Sequence, residues 1–183
     1  MPVRYRTLVL VRHGEYSPEG LTRRGRMQAA HTARRIARLP VTTIHCSTMR
    51  RAVETAQIIS GRLRGLSPRR ARLLRECFPS MPRERRFEGL TSEMIKRGKH
   101  QADRAYRRYF RRAAGRDVCD VLVCHGNLIR YLVCRALGLG KYAWLGFGTT
   151  HCGISVVRIT SGGDFYLESY NDTGHLPGKL RTR

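Results

Sequence analysis

The amino-acid sequence predicts an α/β fold, a three-layer α/β/α sandwich around a mostly parallel sheet with an antiparallel strand. Three observations point there. Short apolar runs alternate with amphipathic helical patterns. The runs at 8–11, 43–46 and 118–124 each stop at a small polar loop, as buried parallel strands do. Near the C-terminus, runs at 154–159 and 165–170 flank Ser161-Gly-Gly-Asp164, which reads as a hairpin and brings in the antiparallel element.

The elements follow in order. Leu8-Val-Leu-Val11 is a strand ending at Arg12-His-Gly. Thr22 caps a helix whose Ala29, Ala33, Ile36 and Ala37 share one face, and Pro40 closes it. The strand Thr43 to Cys46 runs into Ser47 and a helix with Ala52, Val53, Ala56 and Ile59 on its inner face. Residues 60–116 hold 18 basic and 5 acidic residues, and with Pro68, Pro79 and Pro82 they read as loops or a short inserted lid rather than sheet. That segment ends in a helix expected from Ser92 to Ala114. One of its faces carries Ala105, Tyr106, Tyr109, Phe110 and Ala113, and the other carries Arg104, Arg107, Arg108, Arg111 and Arg112. Val118 to Cys124 is the clearest strand. It meets His125-Gly-Asn127 and a helix expected from Leu128 to Leu137. No repeat or linker divides the 183 residues, so one domain spanning 1–183 is expected, with a basic lid or insertion at about 77–116.

The charge is lopsided: 36 Lys+Arg against 13 Asp+Glu give +23 at pH 7. That excess attracts anions, and nonspecific polyanion binding is expected from it. By itself it does not separate a nucleic-acid binder from an enzyme acting on phosphates. No apolar run reaches the roughly 7–15 residues of a signal peptide or the ~20 of a membrane helix. The six cysteines form no Cys-x-x-Cys pair and no Cys/His cluster, so no metal site is expected, and free buried thiols in a reducing cytoplasm are. Oligomeric state is left open.

In open α/β sheets, ligands bind beyond the carboxyl ends of the strands. Three such ends here present Arg12-His13, Ser47 leading to Arg50-Arg51, and His125. Arginine forks match phosphate oxygens. A histidine among such cations is held neutral by their charge, which leaves a ring nitrogen able to attack phosphorus and form a phosphohistidine. The arginines and the second histidine then stabilise the transferring oxygens. Taken singly, each histidine reads as a structural or solvent-facing residue. The convergence is what points to chemistry.

Further motifs make the reading specific. Leu10-Val-Arg-His-Gly-Glu15, Leu21-Thr-x-x-Gly25-x-x-Gln28-Ala29, Ser47-x-x-x-Arg51-Ala52-x-x-Thr55-Ala56, Leu74-Arg-Glu76 and His125-Gly126 together resemble the histidine phosphatase superfamily, also called phosphoglycerate-mutase-like. Within it, residues 73–77, 123–137 and Asn171-Asp-Thr-Gly-His-Leu-Pro177 are most similar to the mitochondrial serine/threonine protein phosphatase branch. The resemblance implies His13 as nucleophile, with Arg12, Arg51 and His125 binding the phosphoryl group. It makes Glu76 the acid that protonates the leaving alkoxide and then the base that activates water. Gly126, Asn127 and Ser47 join the substrate-binding set as orienting groups. Arg50 is the neighbouring alternative to Arg51, and Glu84 and Glu88 are the alternatives to Glu76. No cofactor is implied, and the partner is a phosphorylated substrate, either a phosphoprotein or a small phosphoester.

The sequence departs from phosphoglycerate mutases in two ways. Glu15-Tyr-Ser-Pro-Glu19 replaces their Trp-Asn, and the insertion before the second histidine is short. A short lid leaves the pocket open to water, so hydrolysis is expected over a mutase-type phosphotransfer. Cationic neighbours of Glu76 (Arg75, Arg83, Arg85 and Arg86) lower a carboxyl pKa, so either these side chains face solvent or burial and the bound phosphate dianion push the value back up; an acidic rate optimum is expected from the crowding. A non-enzymatic nucleic-acid binder with Tyr106, Tyr109 and Phe110 stacking on bases is the competing class, although those aromatics fall on the apolar helix face. The Arg104–Arg112 stripe reads as a solvated face or a docking track for an acidic partner. His175 reads as part of a structural closing motif; His151, just before Cys152-Gly153, reads as structural, with an approach to the pocket as its alternative.

Overall fold

The computed structural model describes residues 3–82 and 88–183. The chain forms β1 (Tyr5–Arg12), β2 (Tyr16–Ser17), β3 (Gly20–Leu21), α1 (Arg23–Ile36), β4 (Thr43–Ser47), α2 (Arg50–Ser60) and β5 (Arg69–Ala71). It continues with α3 (Ser92–Tyr109), β6 (Val118–Cys124), α4 (Gly126–Ala136), β7 (Ile154–Thr160) and β8 (Phe165–Asp172). Six strands make one sheet in the order β5-β4-β6-β1-β7-β8, and β2–β3 is a separate small hairpin. The β5/β4, β4/β6 and β6/β1 pairings are parallel, while β7 runs against both β1 and β8. The sheet is mostly parallel, as the alternation predicts.

Alternation along β1 builds both cores. Leu8 and Leu10 face α3 and α4, packing with Ala102, Ala105, Leu128 and Leu132. Val9 and Val11 face α1 and α2, packing with Ala33, Ile36, Ala56 and Ile59. Burial on both faces is why the strand reads as an unbroken apolar run. The three layers follow from it.

The structure corrects several boundaries. β5 lies inside the segment expected to hold no sheet. It is a three-residue edge strand beginning with two exposed arginines, so it has no apolar period to give it away. α3 stops at Tyr109 rather than Ala114, because Phe110 leaves helical geometry (φ −87°, ψ 65°). Phe110 stacks on Tyr106 at 4.8 Å and on Phe165 at 6.4 Å, and Ala113 is buried beyond it. The aromatic stack takes the chain off the helix axis, so Arg111 and Arg112 lie past its end. α4 starts at Gly126, two residues earlier than expected, with His125 as its N-cap. All six cysteines are free and buried. Among the described residues, no helix is long and apolar enough to cross a membrane.

Candidate active site

The site forms where β1, β4 and β6 end side by side. Arg12 and Cys124 are register partners, and the His13 amide donates to the Cys124 carbonyl at 3.0 Å. His13 and His125 therefore leave adjacent strands together, with ring centroids 5.0 Å apart. The loop after β1 is tight. A Cβ on Gly25 would lie 1.9 Å from the Glu15 carbonyl oxygen, and one on Gly14 would lie 2.7 Å from that of Gly25. The Gly14 amide donates to Thr55 Oγ1 at 3.0 Å, and the Glu15 amide donates to Gln28 Oε1 at 2.8 Å. Helices α1 and α2 thereby brace the loop that holds His13.

His13 is buried, and its Nδ1 lies 2.9 Å from the Gly14 carbonyl. Since a carbonyl can only accept, Nδ1 carries the proton and Nε2 keeps its lone pair. Arg51 Nε donates to that Nε2 at 2.9 Å. The Arg51 guanidinium also sits 4.4 Å from the Tyr16 ring centroid, and Tyr16 meets His13 edge-on at 5.0 Å. Arg50, by contrast, is exposed and paired with Glu54 at 2.7 Å. Arg51 is the arginine brought to the histidines, which ends the one-residue ambiguity.

Arg12 Nη1 donates to the Thr149 carbonyl at 2.7 Å, and Nη2 lies 3.2 Å from His151 Nε2. Arg12 Nε is buried and unpartnered. His125 Nε2 lies 2.8 Å from Ser47 Oγ, while its Nδ1 is likewise buried without a partner. Two buried, unsatisfied ring or guanidine nitrogens in one cluster have the donor chemistry an anionic oxygen would satisfy. Gly126 keeps the cradle open, since a Cβ there would lie 2.7 Å from Thr149 Oγ1 and 3.6 Å from Arg12 Nε.

Glu76 is half-buried against the N-terminus of α4. Its Oε2 accepts from the Asn127 amide at 3.5 Å, and its Oε1 accepts from the Cys77 amide at 3.2 Å. Burial raises its pKa above the ordinary carboxyl value; these amides, that of Leu128 and the Arg12 charge oppose the rise without cancelling it. Of the alternatives the sequence left open for Glu76, burial is the one that prevails. Arg75 is exposed, and Arg83, Arg85 and Arg86 lie outside the described residues. Glu84 also lies outside them, and Glu88 is an exposed turn residue.

The histidines are held neutral, as expected, but mainly by burial. Burial lowers His13 to about 2, with His125, Arg51 and Arg12 adding to the effect against the Gly14 hydrogen bond. It lowers His125 to about 3, reinforced by Arg51 and Arg12, and His151 to about 4, reinforced by Arg12.

Other candidates fall elsewhere. Asn127 gives its amide to Glu76, and its side-chain oxygen accepts from Arg130 Nη2. Ser47 touches His125, so it orients that ring. His175 bonds Thr32 of α1 at 2.9 Å, away from the cluster. Sequence reasoning underrated His151, whose ring centroid is 5.6 Å from that of His13, and passed over Tyr16. No spacing rule exposes either one: His151 arrives from the loop before β7 and Tyr16 from the two-residue strand β2. Among the described residues, no group of three or more His, Cys, Asp or Glu side chains could hold a metal ion.

A family model described as histidine phosphatase superfamily (branch 1) matches residues 8–121 and 80–173. The chain belongs to the histidine phosphatase superfamily. It is 35% identical over 198 residues to the serine/threonine-protein phosphatase Pgam5, mitochondrial, of Drosophila grimshawi, covering 100% of this chain and 68% of that protein. The Drosophila persimilis counterpart is 35% identical over 193 residues, with 97% and 66% covered. This superfamily member thus spans about two thirds of those relatives. A phosphoglycerate mutase from Plasmodium falciparum superposes with a TM-score of 0.70 at 30% identity, covering 96% of each chain. An Entamoeba histolytica phosphoserine phosphatase solved with 3-phosphoglyceric acid shares the fold, with a TM-score of 0.71 at 22% identity over 94% of this chain and 100% of that one. The phosphatase and mutase class of enzyme is therefore supported. The relatives' names lend no support to a cytoplasmic location.

Proposed function

We propose that this chain hydrolyses phosphomonoesters through a phosphohistidine on His13. The observation that supports it best is the convergence of Nε2 of a buried, neutral His13 with Arg51, Arg12 and His125 at one sheet end. The bound phosphoryl group replaces His13 Nε2 as the partner of Arg51, which frees the lone pair. Nε2 forms the N–P bond as the ester P–O bond breaks, and the departing alkoxide takes the Glu76 proton. Arg12 Nε and His125 Nδ1 gain the partners they now lack as charge builds on the phosphoryl oxygens. Glu76, now a carboxylate, deprotonates water; the resulting oxygen attacks phosphorus, phosphate leaves and His13 is restored neutral.

Phosphoserine and phosphothreonine proteins are the proposed substrate class, on the strength of the relatives named serine/threonine-protein phosphatases. Mutase-type transfer is the second reading, favoured by the 30% identity to a protein named phosphoglycerate mutase. A base-stacking role for the aromatics is disfavoured by burial, with Tyr109 and Phe110 each only 6% exposed. The deciding experiment is a panel of phosphopeptides and small phosphoesters, with 3-phosphoglycerate included, run with chelator and with His13→Ala. Phosphate release that survives chelation and is lost in His13→Ala supports the proposal. Isomerisation of 3-phosphoglycerate without phosphate release would replace it with the mutase reading.

A further inference from the structure

At the opposite end of these strands, where β4 and β6 begin, lies a second cationic cavity of about 270 Å³. Arg6, Arg69, Arg108, Arg111 and Arg116 line it with Thr42, Thr43 and His45, and Asp120 is its one acidic lining residue among the described residues. Asp120 is already engaged: it accepts from Arg6 and from Thr43 Oγ1 at 2.6 Å. Among the described residues, Arg69, Arg108, Arg111 and Arg116 pair with no carboxylate. Arg6 Nε is buried and has no partner. At ~3.3 Å per residue, Val118 on one wall lies about 23 Å before His125 along β6, while His45 on the other pairs with Leu122, about 10 Å short of it.

The four free arginines arrive from different places: the edge strand β5, the end of α3, two residues past that end, and the loop before β6. Their convergence is therefore tertiary. It is not the solvated face of one helix. Arg69, Arg108 and Arg6 all act on His45, whose pKa is lowered first by burial and then by these charges, against Asp120. A charged edge strand discourages sheet-to-sheet association, which accounts for Arg69. It does not account for Arg108, Arg111 and Arg116 being drawn in beside it. Crowded guanidinium groups with one occupied carboxylate are relieved by an anion that several forks can grip together.

We propose that this cavity binds a compact anion carrying two or three phosphate groups, at a site separate from the catalytic cluster. A single phosphate brings about two negative charges to four unpaired arginines, whereas an extended polyanion would reach beyond a cavity of this size. Inorganic tripolyphosphate is the probe. Binding is followed by calorimetry at about 150 mM ionic strength, where long-range attraction is screened, and by the NMR signals of the His45 and Tyr109 rings. Those rings sit 5.2 Å apart on the cavity wall.

The expected result has three parts. Tripolyphosphate shifts the His45 and Tyr109 signals. The exposed double substitution Arg108→Ala/Arg111→Ala weakens that response about tenfold or more. The same variant keeps its melting temperature and its turnover of a small phosphoester in the absence of tripolyphosphate. An unchanged response in the double variant, or no shift at these rings in the wild type, would overturn the proposal. So would a short oligonucleotide that binds here more tightly than tripolyphosphate, because the ligand class would then be nucleic acid. The readout does not depend on His13 chemistry, so its failure and failure of the phosphatase reading are separable.

Discussion

Glu76 decides how the proposed chemistry responds to pH. A general acid must be protonated in the free enzyme, and burial lifts its pKa above the ordinary carboxyl value. As pH rises through that value the proton is lost, so kcat/KM falls from acidic toward alkaline pH. A bound phosphate dianion raises the pKa further, which moves the decline in kcat to higher pH. Glu76→Gln should lower kcat by about 10²–10⁴-fold on alkyl phosphates. It should lower it far less on p-nitrophenyl phosphate, whose leaving group needs no proton, and the pH dependence should flatten. A kcat still climbing above about pH 8 would remove Glu76 from the role. Ser47 is a positioning residue acting through His125. Ser47→Ala removes the partner of His125 Nε2, and the loss of about 1 kcal/mol should raise KM roughly fivefold, with Ser47→Thr restoring most of it.

At the scale of elements, the loop after β1 is held by close backbone approach as well as by the Thr55 and Gln28 side chains. A Cβ at Gly25 would need the space of the Glu15 carbonyl, and neither backbone can give way without disturbing the α1 N-terminus capped by Thr22. Gly25→Ala should cost at least about 1–3 kcal/mol in urea unfolding and lower kcat by displacing His13. A variant with wild-type stability and rate would show that the loop tolerates the shift. The α4 N-terminus acts in a similar way, since its amides fix the Glu76 carboxylate and its Gly126 leaves room for Thr149 Oγ1. That explains why α4 begins at Gly126 instead of at its first apolar residue.

For the whole molecule, three imidazoles buried neutral couple the site to acid stability. His13, His125 and His151 have folded pKa values of about 2, 3 and 4, against about 6.5 in the unfolded chain. Below 6.5 the unfolded chain takes up protons that the folded one refuses. Stability is therefore full above that pH and declines by up to about 1.4 kcal/mol per pH unit per group as pH falls toward the folded values. The melting temperature should drop steadily from about pH 6.5 to 4, and His151→Gln should make that slope shallower. A flat profile would mean that the histidines protonate in place. The site thus opposes its own acid optimum, because the pH that protonates Glu76 best also weakens the fold.

Much of this was legible in the chain itself. Leu8–Val11 and Val118–Cys124 announce a buried parallel sheet because apolar side chains are needed on both faces. Thr22 announces a helix start because its hydroxyl can satisfy the Gly25 amide. The strand ends nominate Arg12, His13, Arg51 and His125 because topology gathers such ends. β5 stayed hidden because three residues on an edge need no apolar pattern, and the α3 terminus because the Phe110 stack is a long-range contact. The pairing of Arg51 Nε with His13 Nε2, the distance of His151 from His13 and the sign of the Glu76 pKa shift were decided only by tertiary structure. Local sequence sets which residues carry charge and which seek burial. Direction, distance and dielectric surroundings arise when strands far apart in the chain come into register, and those set what a buried imidazole or carboxylate can do.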